Sequence, residues 1–291
     1  MKTVTLSLIS HTNNGKTTLA RTLLRKDIGE VLDQAHVTEV SEAHPLLETG
    51  GERLLLWDTP GFGDTVRLMK RLRSQSNPIG WFLHQVWDRI ADRPLWCSQE
   101  AVRNIQEEAD VVLYLVNASE DPQDAGYVNH ELELLTWIDV PVLLLLNMTG
   151  SGAIGESLGS SLEQTWRSHV ASWPIIKGVL TLDAFSRCWV EEGVLLEQVG
   201  EILPDVEKPA MQRLVAAWNQ RNQQIYQDSV GRLAAYMSKA ACDQQPLEGT
   251  HLFKGVKDRA MGSLGERLEE STRELMRHLI ADHGLDGKSM V

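Results

Sequence analysis

Two near-continuous apolar runs, Val111 to Asn117 and Pro141 to Asn147, stand out from the mixture of hydrophobic and polar positions along the chain. Such runs suit strands buried on both faces of a mostly parallel sheet. Shorter β-rich stretches predict further strands at Thr3 to Ile9, Arg53 to Asp58 and Ile175 to Leu182. Helical spacing or helix-forming composition is found from Gly15 to Leu24, from Tyr127 to Ile138 and from Val194 to Leu203. Strands alternating with helices predict an α/β fold, a doubly wound and mostly parallel sheet.

Beyond Pro204 no strand pattern recurs. Met211, Leu214, Trp218, Ile225, Leu233 and Met237 follow one another at three-, four- and seven-residue multiples, as an amphipathic helix requires. Gly265 to Ile280 predicts one more helix. The chain divides on this reading into a sheet domain over residues 1–204 and a helical C-terminal region over residues 205–291. Those helices either form a separate body or pack on the sheet domain.

Composition narrows the class. A net charge of −12 argues against generic nucleic-acid binding, which leaves a basic footprint. Cys97, Cys188 and Cys242 lie far apart and form no CxxC pair, so neither a disulfide framework nor a zinc site is expected. A reducing, cytoplasmic setting fits, and no leader is expected before the first strand.

The chemistry concentrates after that first strand. Ser10-His11-Thr12-Asn13-Asn14-Gly15-Lys16-Thr17-Thr18 fits G-x-x-x-x-G-K-[ST], with Ser10 in place of the first glycine. A turn of this kind points successive main-chain N–H groups inward around phosphate oxygens, helped by the following helix N-terminus. Asn13, Asn14, Gly15, Lys16, Thr17 and Thr18 are therefore the candidate phosphate-binding residues. Gly15 lets the main chain approach closely, Lys16 puts a compact positive charge on the β- and γ-phosphates, and Thr17 offers a hydroxyl to Mg²⁺.

Two further elements follow. Asp58-Thr59-Pro60-Gly61 closes a predicted strand; Asp58 can hold Mg²⁺ through water and the Gly61 amide can reach a γ-phosphate. Thr38 lies between these motifs, where its hydroxyl could join the Mg²⁺ shell only when the γ-phosphate is present.

The succession Asn-x-Gly-Lys-Thr, a spaced threonine, then Asp-Thr-Pro-Gly resembles the Era/TrmE/EngA/septin group of P-loop GTPases. Within that group it is similar to a proteobacterial family that carries a C-terminal domain of unknown function. Trp57 to Asp64 and Gly80-Trp81-Phe82-Leu83 contribute to the likeness. The resemblance implies GTP and GDP as ligands, Mg²⁺ as cofactor and hydrolysis used as a switch. It gives Lys16, Thr38, Gly61 and Asn13 the catalytic positions, and Thr17, Thr38 and Asp58 the metal. In potassium-activated members an asparagine at the place of Asn13 helps bind K⁺ beside the phosphates; a residue that tolerates a strained turn is the alternative. Phe62 stands where Ras-like GTPases have a water-orienting glutamine, which implies slow turnover assisted by a cation, a partner or a second subunit.

The base-reading motif departs from the pattern. Guanine is read by Asn-Lys-x-Asp, and the matching stretch is Asn147-Met148-Thr149-Gly150. Asn147 remains, but Gly150 cannot accept hydrogen bonds from guanine. Asp183 lies where the family places its second base loop, as a substitute acceptor or as a solvated or helix-starting residue. An ATPase or relaxed NTPase, or a nucleotide-bound scaffold with negligible turnover, therefore stays open beside the GTPase.

The segment from about residue 63 to residue 108 is longer than a strand–helix–strand return needs. It holds Trp81, Trp87 and Trp96 and opens with Arg67, Lys70, Arg71 and Arg73. It reads either as a helical insert with its own core and wet face or as a surface for a protein effector. RNA or the ribosome, a homodimer partner and an anionic membrane surface are further candidates. The last would place the protein peripherally at the inner membrane, through amphipathic helices near residues 254–277.

Overall fold

The structure is a computed structural model that describes residues 2–25, 41–86, 91–148, 156–184, 189–246 and 254–284. Strand β1 (Lys2–Ser10) leads into α1 (Lys16–Leu24); β2 (Glu42–Thr49) and β3 (Glu52–Asp58) form a hairpin. Three helices follow, α2 (Thr65–Leu72), α3 (Pro78–His84) and α4 (Arg93–Glu108). The chain then alternates β4 (Val111–Asn117), α5 (Gly126–Ile138), β5 (Val142–Asn147), α6 (Glu156–Val170), β6 (Ile176–Thr181) and α7 (Trp189–Ile202). Two long helices close it, α8 (Lys208–Cys242) and α9 (Lys254–Asp282).

The strand order is β2-β3-β1-β4-β5-β6, with only the β2–β3 pair antiparallel. The fold is thus the expected doubly wound, mostly parallel sheet. In β4, Val112, Tyr114 and Val116 enter the core on one face, and Val111, Leu113 and Leu115 the core on the other. Leu144 and Leu146 of β5 against Leu143 and Leu145 repeat this division. A strand covered on both faces has no wet side, which is why these runs lack polar alternation.

The strand β2 has no counterpart among the sequence expectations. Its residues EAHPLLET include a proline, and the register shifts between Pro45 and Leu47. At the sheet edge a proline costs no ladder bond on its solvent side. The segment expected as an insert consists of α2, α3 and α4 on the sheet face that also carries α5. Leu68, Met69, Leu72, Phe82, Leu95 and Val102 bury into that core, with Trp81 packed against it. Trp96 is half-buried; Trp87 lies outside the described residues.

The chain forms two compact units, Met1–Trp218 and Asn219–Val291. In the first, the start of α8 covers the opposite sheet face through Met211, Leu214 and Trp218, all buried. Arg213 forks onto Glu52 at the start of β3. In the second unit, α8 and α9 run antiparallel: Asp243 pairs with Arg267, Tyr236 bonds Thr272 at 2.7 Å, and Ser229 bonds His283 at 3.1 Å. Leu233 and Met237, expected on a buried stripe, are exposed at 45% and 61%. Two helices alone share one narrow seam and leave the rest of each stripe wet.

Candidate nucleotide-binding site

Strands β1, β3, β4, β5 and β6 all deliver their C-terminal ends to one edge of the sheet, where open α/β sheets bind ligands. The loop from His11 to Gly15 joins β1 to α1 there. Asn13 and Gly15 take positive φ values of 69° and 82°. Such a turn aims its amides inward rather than along a helix. A side chain at Gly15 would also meet Asn147: an ideal Cβ falls 2.6 Å from Asn147 Nδ2. The glycine is therefore required twice, by its dihedral and by its neighbour.

Lys16 and Asp58 are both buried, and Lys16 Nζ lies 3.5 Å from Asp58 Oδ1. The Thr17 hydroxyl donates to Asp58 Oδ2 at 3.0 Å. Asp58 Oδ1 accepts no hydrogen bond, although it is buried. A buried carboxylate oxygen without a donor, beside a hydroxyl and a lysine, is the donor set that Mg²⁺ and a phosphate chain would complete. Three predicted site residues from two distant motifs are thus brought together. Thr38 lies outside the described residues, as do Thr149 and Gly150.

Gly61 packs on the phosphate loop, its ideal Cβ direction meeting Thr12 Cα at 3.2 Å. The main chain beyond it is bonded to the same loop, Phe62 N–H to Ser10 C=O at 2.9 Å and Thr12 N–H to Phe62 C=O at 3.3 Å. Phe62 itself is fully buried in the sheet core. Its ring has left the site altogether.

Asn147 is fully buried at the end of β5. Its Nδ2 donates to the Asn14 carbonyl at 2.9 Å, and its Oδ1 accepts from the Ala184 amide at 2.8 Å. The side chain thus ties the phosphate loop to the loop after β6, which also carries half-buried Asp183. Met148 reaches back over Gly15, its Cε 3.6 Å from the ideal Cβ position. Asn13 is exposed, Asn14 is buried and Thr18 is half-buried at the start of α1.

Sequence reasoning missed a polar cluster beside the loop. Glu131 of α5 is fully buried, yet accepts from Tyr114 Oη at 2.7 Å and Thr65 Oγ1 at 3.1 Å and bonds His11 Nδ1 at 2.6 Å. His11 stacks on Tyr127, ring centroids 4.3 Å apart. Burial pulls the His11 imidazole down, but the hydrogen bond and charge of Glu131, with the charge of Glu120, outweigh it and hold the imidazole above its usual range. Burial, with the Glu131 charge, pushes Tyr114 well up. The available signal was an acid at a core-facing position of an apolar helix, one turn from Val128 and Leu135.

Residues 5–148 match the family model described as 50S ribosome-binding GTPase. The matched stretch has the P-loop GTPase fold. Its fold is similar to that of an Era variant from Aquifex aeolicus bound to GDP·AlF4−, with a TM-score of 0.50 and 18% identity over 70% of this chain and 58% of that one. The GTPase domain is also similar to Era in complex with MgGDPNP and a segment of 16S ribosomal RNA, at a TM-score of 0.49 and 17% identity over 70% and 58% of the two chains. A probable GTP-binding protein EngB aligns at a TM-score of 0.40 and 14% identity, over 68% of this chain and 98% of its own. The matched part spans little more than half of the Era chains. No curated protein matches this chain in sequence. The other feature expected of the GTPase domain, its basic run on α2, is partly spent on ion pairs: Arg73 Nη2 to Glu133 at 2.6 Å and Arg67 to Asp92 at 3.4 Å.

Proposed function

We propose that the protein is a Mg²⁺-dependent GTPase used as a switch. The observation that carries this reading is the meeting of Lys16 and Thr17 on Asp58 at the mouth of the loop, at 3.5 Å and 3.0 Å. Lys16 and the inward amides bind the phosphates. Thr17 would hold Mg²⁺ directly, Asp58 through water, and Thr38 would join them when GTP is present. The metal supplies neutralisation of charge on the β- and γ-phosphates. Gly61 stands against Thr12, so its amide is the sensor of the γ-phosphate.

Turnover is slow on this reading, because the buried Phe62 ring presents no polar group to a water. The resemblance makes assistance by K⁺ through the exposed Asn13 side chain part of this reading, while its φ of 69° fits the alternative of a residue that tolerates a strained turn. Equal rates in K⁺ and Na⁺ would remove the cation. The description of the matched family makes a ribosomal or RNA partner a further part of this reading, against the net charge of −12; a protein effector, a homodimer and a peripheral membrane role are its alternatives. No helix among the described residues is long and apolar enough to cross a membrane.

A relaxed NTPase is the second reading. Both hydrogen-bonding ends of the Asn147 side chain are occupied by protein groups, and position 150 offers no acid. The deciding experiment titrates GDP against ADP with Mg²⁺ and follows phosphate release from GTP and ATP. Preference for GDP with GTP turnover is expected; tighter ADP binding would overturn the guanine assignment, and no binding of either would end the whole reading.

A further inference from the structure

A single buried carboxylate sits where three elements of the GTPase domain converge. Glu131 on α5 receives Thr65, the first residue of α2, at 3.1 Å and His11, the second residue of the phosphate loop motif, at 2.6 Å. Both bonds end on the same oxygen, Oε1, while Tyr114 of β4 holds Oε2 at 2.7 Å. The Thr65 hydroxyl lies also 3.1 Å from the Gly63 carbonyl, so its one proton is shared between that carbonyl and the carboxylate.

The surroundings leave this junction little room to slip. Gly63 donates to Ser98 at 3.0 Å, and a Cβ on Gly63 would fall 2.5 Å from Pro94 of α4. His11 is bracketed by the main-chain bonds of Ser10 and Thr12 to Phe62 and is clamped from the side by Tyr127. Gly61, the γ-phosphate sensor, thus lies between two anchors that meet on one carboxylate, at residue 11 and at residue 65. A buried hydrogen-bonded junction of this kind fixes geometry more than it adds net stability.

We propose that Thr65 and His11 are positioning residues for nucleotide turnover, held in common register by Glu131 so that the Gly61 segment meets the γ-phosphate at a set distance. The inference rests on the hydrolysis reading above. Neither residue touches the reacting atoms; their effect is on where the phosphate loop and the start of α2 stand relative to each other. Turnover is sensitive to such displacement, whereas GDP, which lacks the γ-phosphate, is not.

The test compares Thr65→Val, which keeps the shape and loses the hydroxyl, with Thr65→Ser, which keeps the hydroxyl. Glu131→Gln serves as the variant that weakens all three bonds. In Thr65→Val, kcat for GTP is expected to fall on the order of tenfold while KM and the affinity for a fluorescent GDP analogue stay within about twofold. Thr65→Ser restores the rate. Amide exchange over residues 65–72 should quicken in Thr65→Val and in Glu131→Gln. An unchanged kcat in Thr65→Val, a KM that rises as far as kcat falls, or a serine variant as slow as the valine one would overturn the proposal. If the wild-type protein binds GTP without hydrolysing it, the hydrolysis reading fails alone: the exchange measurement then decides the clamp, and unchanged exchange over α2 in both variants overturns it.

Discussion

The side chain of Asn147 donates a 2.9 Å hydrogen bond to the main-chain carbonyl of Asn14, joining the end of β5 to the phosphate loop. Its other end accepts the Ala184 amide at 2.8 Å. Asn147→Ala would strand a buried carbonyl and a buried N–H together. Each stranded group costs about 1–3 kcal/mol. The expected result is a loss of about 2 kcal/mol or more in urea denaturation, with weakened GDP binding by titration calorimetry. Undiminished stability would show that water satisfies both groups.

Gly15 faces the same amide, so its substitution should couple to that of Asn147. Gly15→Ala pays about 1–2 kcal/mol for a left-handed conformation and drives a Cβ to 2.6 Å from Asn147 Nδ2. The double variant Gly15→Ala/Asn147→Ala removes the clash and should be less destabilised than the sum of the two single ones. Strict additivity in a denaturant series would contradict the contact.

Lys16 is the counter-charge of buried Asp58 as well as the expected phosphate ligand. Lys16→Ala should abolish measurable nucleotide binding and also lower stability by about 1–3 kcal/mol, because a buried carboxylate loses its cation. Adding Asp58→Asn should recover part of that stability without recovering binding. Failure of the recovery would show that the ion pair contributes nothing to the folded state.

Asp110 offers a pH test away from the site. Burial raises its carboxyl above the ordinary range, opposed by the bond from the Thr5 amide at 2.7 Å. A carboxylate raised in the folded state costs stability that appears as pH climbs through the unfolded and then the folded value. Asp110→Asn keeps an acceptor for Thr5 and removes the charge. Its melting temperature should exceed that of the wild type by about 1–2 °C at neutral pH, and the difference should vanish in acid. A constant difference across the pH range would point to a cause other than ionisation.

Trp218 is 1% exposed in the core beneath the sheet. Trp218→Ala should cost about 3–5 kcal/mol. A chain ended after residue 218 should keep nucleotide binding and a cooperative melt, whereas one ended after residue 204 should lose Met211, Leu214 and Trp218 from that core and aggregate or melt early. Equal melts for the two truncations would place the boundary near Asp205.

The parallel strands were legible because burial on both faces leaves an uninterrupted apolar run, as in Val111–Asn117, where expectation and structure coincide. The edge strand Glu42–Thr49 was not: one partner, a proline and a wet face remove that signal. Leu233 and Met237 carried helical periodicity into a hairpin too thin to bury them. Periodicity reports a stripe, not what covers it.

The sequence by itself determined the phosphate loop, the Asp58-Thr59-Pro60-Gly61 turn at the end of a strand, and the pattern of a two-faced sheet. These depend on local spacing and on main-chain turns that a few residue types dictate. Tertiary structure alone decided that Asn147 spends its side chain on bracing two loops, that Phe62 belongs to the core, and that Glu131 gathers His11, Thr65 and Tyr114. Each of these is a contact between residues far apart in the chain. No local pattern encodes which distant donor a buried polar group will find.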